Sequence, residues 1–413
     1  MRACVQYAGK SSMAKKINSA VGVDIGSQSI KVAEVKLQGG RPTVTAMAQA
    51  MTPAGAVDHI GIHDGEAVSA VLKEVCSMAG TSTGDMVVSI AGQGAVLVRT
   101  LEVPNMSESE LEQHMDWEIT RNIPFGEKTV QSDFKAFPAE DSAAQSIDVV
   151  MAISPQSAIE QVVSMVKKAG KKLAAIDVEP LGLARGLKLG YETDMMGKTV
   201  CVVDIGHKTS SINMYKDGQL LMPRQVPIGG EMFTQQIASA MNLQYDEAER
   251  QKIEQIDIPQ NATAATGPFA TGPETQTFEP YNPFGDTTEE EATPAAPPVP
   301  ATPDAPVPAE PAPAANPMFN AIAATLDELV AEIKRSIEYF RSKGGDVDHI
   351  LLCGGGSKMK GLPGFIEAAV GVDTQLYDPM RGLTQNIKPS DSVDEEHMEE
   401  FAVAVGNGLH ICF

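Results

Sequence analysis

Long hydrophobic runs are missing from the 413 residues, and with them the ~18 consecutive apolar positions that a membrane-spanning helix requires. The segment before Ile17, MRACVQYAGKSSMAKK, carries Lys and Arg but no apolar core, so it is not expected to act as a secretory signal. It reads as a disordered lead-in, with Met13 as an alternative start. Cysteine is scarce: Cys4, Cys76, Cys201, Cys353 and Cys412 show neither CxxC spacing nor a paired framework, which argues against a zinc site and against a secreted disulfide fold. A reducing cytoplasm is the compartment expected. Basic charge is in deficit, with 32 Lys and Arg against 54 Asp and Glu and a net charge of −22. That balance argues against nucleic acid as a partner and against unaided docking on anionic lipid. What is present is an apolar fraction of 43%, enough for real cores, at a length that suggests two to three folded units.

One pattern is written twice. Val21–Lys31 reads VGVDIGSQSIK, and Cys201–Ser211 reads CVVDIGHKTSS. Each begins with a β-rich apolar run, turns at Gly26 or Gly206, and continues into a second strand-like run, Ser29–Leu37 or Ser210–Tyr215. Two such runs around a short polar turn with Gly read as a β-hairpin. Glycine lets the backbone approach a ligand closely, and the N–H groups of a turn can cradle an anion. The Asp before each turn, Asp24 or Asp204, is placed to hold a cation through water. An ordinary hairpin with a turn-favoured Asp gives the same local pattern; the recurrence favours two halves of a metal–phosphate clamp.

Along the rest of the chain, Val68, Val71, Leu72 and Val75 recur at helical spacing within a helix expected over 64–79. Residues 86–170 read as β–β–α–β–β–α, with a capping-box start at Ser107 and Glu110 and the single Trp, Trp117, in the first helix; this block is expected to form a compact module. Pro259–Pro317 holds more than half of the prolines and almost no large aliphatics, so it reads as a disordered, partly polyproline-II insert, a spacer or a Pro-x-x-P ligand. A long helix follows, with Ile322, Leu326, Leu329, Ile333 and Ile337 on one face. HILLCGGG, 349–356, is a buried strand running into three glycines.

With both Asp-Ile-Gly hairpins and the triple-glycine strand end in place, the sequence resembles the actin-like ATPase superfamily, which includes actin, heat-shock chaperone ATPases, sugar kinases, FtsA and MreB. Five segments match in order: VGVDIGSQSIK as the first phosphate motif, IDVEPLGLARGL (176–187) as the first connecting helix, CVVDIGHKTSS as the second phosphate motif, ILLCGGGSKMKGLPG (350–364) as the adenosine motif, and FAVAVGNGL (401–409) as the second connecting helix. Within the superfamily, TLEVPNMSESELEQHMDWEITRNIPFGEKTVQSDFKAF (100–137) resembles the signature region of the PilM family of type IV pilus assembly proteins, relatives of FtsA. FtsA proteins generally end in a linker and a membrane-binding amphipathic helix; the sequence stops at Phe413, so the PilM branch is the one expected.

The resemblance implies an α/β fold with two lobes, each built on a ribonuclease H-like core, and an inserted 1C-type subdomain. The lobe 1 core would comprise 19–85, 171–197 and 395–413, and the inserted subdomain 86–170. The lobe 2 core would comprise 198–230 and 346–394, and subdomain 2B 231–258 and 318–345. The lead-in (1–18) and the Pro-rich insert (259–317) lie outside these units. ATP and Mg²⁺ would sit in the cleft between the lobes, with Asp24 and Asp204 holding Mg²⁺ mostly through its waters. Gly26, Ser27, Gly206 and Thr209 would hold phosphate oxygens and Lys31 would add positive charge. Glu179 or Asp204 would orient the attacking water. Gly355, Gly356 and Ser357 would let the adenosine lie against the strand end, with Gly230, Glu231 and Lys334 as further ribose or adenine neighbours. Lys31 has a plainer reading as a solvated strand residue, Glu179 as a helix-N-terminal carboxylate, and Trp117 as an anchor of its own module's core; His207 is read as a turn residue only. The family further implies capture of the cytoplasmic tail of a PilN-type inner-membrane protein in a groove beside 86–170, with Trp117, Ile123 and Phe125 as contacts and a link to the pilus motor. An FtsA- or actin-like filament-forming ATPase is the alternative, and turnover is expected to be slow or absent.

Overall fold

The structure is a computed structural model, and it describes residues 17–127, 129–137, 145–259, 317–387 and 393–413. The lead-in and nearly all of the Pro-rich insert therefore lie outside the described residues. The chain opens with β1 (Ser19–Ile25), β2 (Ser29–Gln38), β3 (Arg41–Met51), α1 (Gly65–Ala79) and β4 (Asp85–Ile90). Next come β5 (Leu97–Pro104), α2 (Glu108–Arg121), β6 (Val130–Phe137), β7 (Ser146–Pro155) and α3 (Gln156–Lys168). β8 (Lys172–Val178) leads into α4 (Glu179–Gly190) and the short α5 (Glu192–Met195). The second half carries β9 (Thr199–Ile205), β10 (Ser210–Lys216), β11 (Gln219–Met222), β12 (Gln225–Val226), α6 (Gly230–Met241), α7 (Tyr245–Gln255) and α8 (Pro317–Ser342). β13 (His349–Cys353), α9 (Leu362–Val370), β14 (Asp373–Leu376), β15 (Thr384–Gln385) and α10 (Ala402–Gly408) complete it.

Three sheets result, ordered β15-β3-β2-β1-β4-β8, β11-β10-β9-β13-β14 with β12 on β10, and β5-β7-β6. The first two share a plan. β1 pairs antiparallel with β2 and parallel with β4, and β9 pairs antiparallel with β10 and parallel with β13. Central strands buried on both faces read as continuous apolar runs, as Val21, Val23, Val202 and Val203 do here. Helices cover the sheets with the faces that the spacing requires. Val68, Leu72 and Val75 of α1 are buried in lobe 1, and Ile322, Leu326, Leu329, Ile333 and Ile337 of α8 are buried in lobe 2. Five aliphatic side chains of that size contribute on the order of 10 kcal/mol by burial. Among the described residues no helix is long and apolar enough to cross a membrane.

The 86–170 block divides differently from its order in the chain. β4 lies inside the first sheet between β1 and β8, and α3 packs its buried Ile159, Val162 and Val166 into the core beneath α1. The separate unit is the three-stranded sheet with α2, spanning 97–155, around its own core of Val103, Leu111, Met115, Ile119, Val149, Met151 and Ile153. The capping box forms: Glu110 Oε2 accepts from the Ser107 N–H at 3.0 Å and from its Oγ at 2.7 Å.

α4 and α10 cross between the lobes at touching glycines. A Cβ on Gly406 would lie 2.2 Å from the Gly182 carbonyl oxygen, so α10 tolerates no side chain there, and one on Gly182 would press on Asn407 Oδ1 at 3.0 Å. α10 also lies on β1, where Asn407 Nδ2 donates to the Val23 carbonyl at 2.9 Å. The strand carrying Asp24 and the helix beginning at Glu179 are thereby held against one support.

Candidate functional site

Both hairpin turns close in the same way. Gly26 N–H donates to the Ser29 carbonyl at 3.1 Å, and Gly206 N–H to that of Thr209 at 3.0 Å. A Cβ on Gly206 would lie 2.6 Å from the Thr209 oxygen, so the second turn needs glycine, while one on Gly26 would lie 3.0 Å from the Ser29 oxygen, a tight but less demanding fit. A third backbone element meets the second turn: Gly354 has φ +80°, and a Cβ on it would lie 2.2 Å from Asp204 Oδ1.

These elements enclose a cavity of about 500 Å³ between the lobes. On its wall the structure brings together Asp24, Gly26, Ser27, Lys31, Glu179, Asp204, Gly206, Thr209, Gly230, Gly355 and Gly356. Ser357 is buried just beneath, its Oγ donating to the Gly354 carbonyl at 2.7 Å. Glu231 lies off the wall and pairs with Lys208 at 2.9 Å. Lys334 is exposed on α8 and does not line the cavity.

Register decides the charge of each hairpin. Lys31 stands opposite Asp24, and Ser211 opposite Asp204. Lys31 is buried, not solvated, with its Nζ 3.7 Å from Asp24 Oδ2. Burial raises the Asp24 carboxyl above the usual carboxylate range, and Lys31 counters part of that rise. Asp204 lacks such a partner in its own hairpin: burial and then repulsion by Asp24 push it up to about 6. Burial, followed by repulsion from Asp204 and Asp24, holds Glu179 well above its ordinary value. Glu179 hydrogen-bonds to Asp204, and burial together with repulsion among these carboxyls favours the protonated form of both. Three carboxyl groups share one buried space, an arrangement that a bound cation relieves. Among the described residues no three His, Cys, Asp or Glu side chains are grouped to ligate a metal directly.

Several wall residues carry no expected role in the sequence reading. Lys252 of α7 is buried, donating to the Gly230 carbonyl at 3.1 Å, Thr234 Oγ1 at 2.8 Å and Glu249 Oε2 at 2.7 Å. The Glu249–Lys252 spacing of three on an otherwise polar helix is a faint signal for it. Lys358 pairs with Glu400 at 2.9 Å, and Gln49 Nε2 donates to the same carboxylate at 2.9 Å, so the lobe 2 turn is tied to β3 of lobe 1. His207 Nδ1 lies 3.2 Å from Ser27 Oγ, and its Nε2 lies 3.2 Å from Tyr245 OH. A turn residue in the sequence is a bridge in space.

The three residues expected at a peptide groove separate. Trp117 is 54% exposed, so it is not a core anchor; Arg121 sits over its ring with Cζ 5.1 Å from the centroid. Ile123 and Phe125 pack, partly buried, against the core of the 97–155 unit.

The sequence profile described as "Type IV pilus assembly protein PilM" matches residues 22–276. The chain belongs to the PilM family. The profile for cell division protein FtsA matches residues 201–406. Among curated proteins, the cell division protein FtsA of Neisseria meningitidis serogroup B (strain ATCC BAA-335 / MC58) is 22% identical over 181 residues, covering 41% of this chain. The match spans only 42% of that relative's length. Among solved structures, a PilM–PilN type IV pilus biogenesis complex aligns over 96% of this chain and 99% of its own, with TM-score 0.72 and 24% identity. The ethanolamine utilization protein EutJ from Carboxydothermus hydrogenoformans aligns over 96% and 91%, with TM-score 0.51 and 14% identity. The fold is that of the actin-like ATPases: two lobes around one cleft.

Proposed function

We propose that the chain is an ATP-binding scaffold of type IV pilus assembly. The observation that carries this reading is the apposition of two identically closed glycine turns on one cavity wall, with Asp24 and Asp204 close enough to repel each other. The residues fit a magnesium nucleotide. Asp24 and Asp204 are hard oxygen donors suited to holding Mg²⁺ through water, since no direct ligand triad is present among the described residues. When bound, the ion neutralises charge on the phosphates and on these carboxylates. The turn N–H groups at Ser27 and His207, next to Gly26 and Gly206, the Ser27 and Thr209 hydroxyls and the Lys31 ammonium hold phosphate oxygens. Open backbone at Gly355, which meets nothing within 4 Å, receives the nucleoside. Glu249, on the same wall, accepts from ribose hydroxyls, a role for which Glu231 and Lys334 are less well placed. Glu179, raised by burial and then by Asp204 and Asp24, is the carboxyl placed to orient an attacking water.

The partner is the cytoplasmic tail of a PilN-type inner-membrane protein, which places the scaffold in the cytoplasm, peripheral to that membrane and linked through it to the pilus motor. A solved relative in this fold is a PilM–PilN complex. The tail docks where β8 forms the edge of the first sheet and a groove against α3 is lined by Val163, Lys167, Lys171 and Leu173, within the stretch that follows the 97–155 unit in the chain. An extended peptide adds to such an edge by main-chain hydrogen bonds, with side-chain pockets giving specificity. The match of residues 201–406 to FtsA keeps a filament-forming ATPase as the second reading.

Mass analysis of nucleotide released from the purified full chain, with phosphate release in Mg²⁺-ATP, tests the reading. Bound adenine nucleotide with little turnover supports the scaffold. Steady phosphate release that is lost in Asp204→Asn, together with pelleting of polymers, favours the filament. No nucleotide and no binding at millimolar ATP rejects both. Loss of PilN-tail binding on Val163→Arg or Trp117→Ala separates the groove from the outer face of α2.

A further inference from the structure

His207 is the second residue of the second turn, and its ring is fixed from two sides. Its carbonyl accepts from the Glu231 N–H at 2.8 Å, where α6 begins. A Cβ on Gly229 would lie 2.3 Å from the same oxygen, so backbone packs directly on backbone and the loop has no slack. Tyr245, the first residue of α7, meets Nε2 at 3.2 Å. The remaining ring nitrogen, Nδ1, crosses the cleft to Ser27 Oγ in the first turn. Among the described residues this is the one side-chain hydrogen bond that joins the two turns directly.

Chemistry orients the chain of bonds. Burial disfavours the imidazolium form of His207, so the ring carries a single N–H. Burial, then repulsion by Glu249 and Glu231, pushes the Tyr245 phenol up to about 12, so it remains a donor. In the tautomer in which Tyr245 O–H donates to Nε2, the ring proton sits on Nδ1 and points across the cleft at Ser27, whose oxygen accepts it. A phosphate oxygen, which only accepts, can take the place of Ser27 in that bond.

We propose that His207, in this tautomer, discriminates a nucleoside triphosphate from a diphosphate. With the nucleoside at Gly355 and the phosphates running between the turns, the terminal phosphoryl group is the one that reaches the Ser27–His207 gap. A triphosphate takes the Nδ1–H from Ser27 and separates the two turns by one phosphate. A diphosphate ends short of the gap and leaves the Ser27–His207 bond closed. The lobes thus have two closures, one direct and one bridged by phosphate, and Tyr245 holds the ring ready for either. This rests on the reading of the cleft as an ATP site.

Calorimetric titration of the full chain with a non-hydrolysable ATP analogue and with ADP, each with Mg²⁺, tests it. Losing one hydrogen bond to a charged acceptor lowers affinity by about tenfold. His207→Ala is expected to weaken the ATP analogue by that factor and ADP by less than about twofold. His207→Asn, which keeps an N–H near the Nδ1 position, restores most of the triphosphate preference. Tyr245→Phe, which frees the ring to adopt the other tautomer, loses part of it. Equal weakening of both nucleotides by His207→Ala assigns the residue to loop structure and overturns the proposal, as does an unchanged ratio. Failure of the unaltered chain to bind either nucleotide overturns the ATP reading itself, so the two failures are distinguishable.

Discussion

The two hairpins share their backbone and differ in their charge. Each turn closes with one N–H to carbonyl bond, 3.1 Å in the first and 3.0 Å in the second. Each strand pair places its Asp one residue before the last paired position, but the residue opposite is Lys31 in one case and Ser211 in the other. Repetition of local sequence therefore gives two equivalent cradles for an anion, while register makes one half self-neutralised and leaves the other dependent on a cation. On the proposed reading, that asymmetry makes Asp204, rather than Asp24, the carboxylate that gains more from a bound magnesium ion.

Removing that dependence produces the largest expected effect. Carboxylates acting on a metal through its waters are worth about 10–100-fold in affinity, so Asp204→Asn is expected to weaken Mg²⁺-nucleotide binding by about that factor in a calorimetric titration. The same change should stabilise the empty protein. A carboxyl raised from 3.8 to about 6 in the fold binds its proton more tightly there than in the unfolded chain. Its contribution to stability is fully present below pH ~4 and is lost as pH rises toward ~6. At pH 7 the unaltered protein carries the charged, repelled form, and the amide does not. Chemical denaturation at pH 7 should show Asp204→Asn more stable by about 1–3 kcal/mol, with a flatter dependence between pH 4 and 6. A destabilised variant would mean that Asp204 is held mainly by partners rather than strained against Asp24.

The core asks less of the comparison and more of packing. Leu329 of α8 is fully buried in lobe 2, and Leu329→Ala is expected to cost about 2–5 kcal/mol in urea denaturation. A loss under 1 kcal/mol would show that the helix is not a support of that lobe.

Much of this was open to reading from the chain because it is local. The Asp-Ile-Gly turns, the helical stripe from Ile322 to Ile337 and the Ser107–Glu110 cap each depend on residues within a few positions of one another. Sheet membership is not local. β4 follows the first helix and precedes the small sheet in sequence, yet it pairs with β1 and β8, so 86–170 is not one module. The position of Trp117 was within reach. Leu111, Met115 and Ile119 recur every four residues and define the buried stripe of α2, and a residue two places from Met115 falls on the opposite face. The role of His207 was not, because its bond to Ser27 spans 180 residues and exists only once the lobes are apposed.

The two turns also differ in how tightly they close, which gives a graded test. A Cβ on Gly206 would meet the Thr209 oxygen at 2.6 Å, while one on Gly26 would meet Ser29 at 3.0 Å. Gly206→Ala must move backbone, and strain of that kind costs about 1–3 kcal/mol. Gly26→Ala needs a shift of only a few tenths of an ångström and is expected to cost under about 1 kcal/mol. Thermal denaturation of the pair should rank them in that order; the reverse ranking would mean that the first turn, beside the Lys31–Asp24 pair, is the less adaptable of the two.

The smallest effect is a fraction of a proton. At pH 6, near its own pKa of about 6, Asp204 is partly protonated in the empty cleft. A magnesium nucleotide places positive charge beside it and favours the ionised form. Binding at that pH should therefore release about half a proton, and release should fade at pH 8, where Asp204 is already ionised. The readout is the binding heat in two buffers of different ionisation enthalpy: the heats should differ more at pH 6 than at pH 8, and Asp204→Asn should reduce the difference at pH 6, any remainder coming from Glu179. Proton uptake instead would mean that the phosphates, not the cation, dominate the field at Asp204, and the second hairpin would then have to be regarded as the anion-facing half of the clamp.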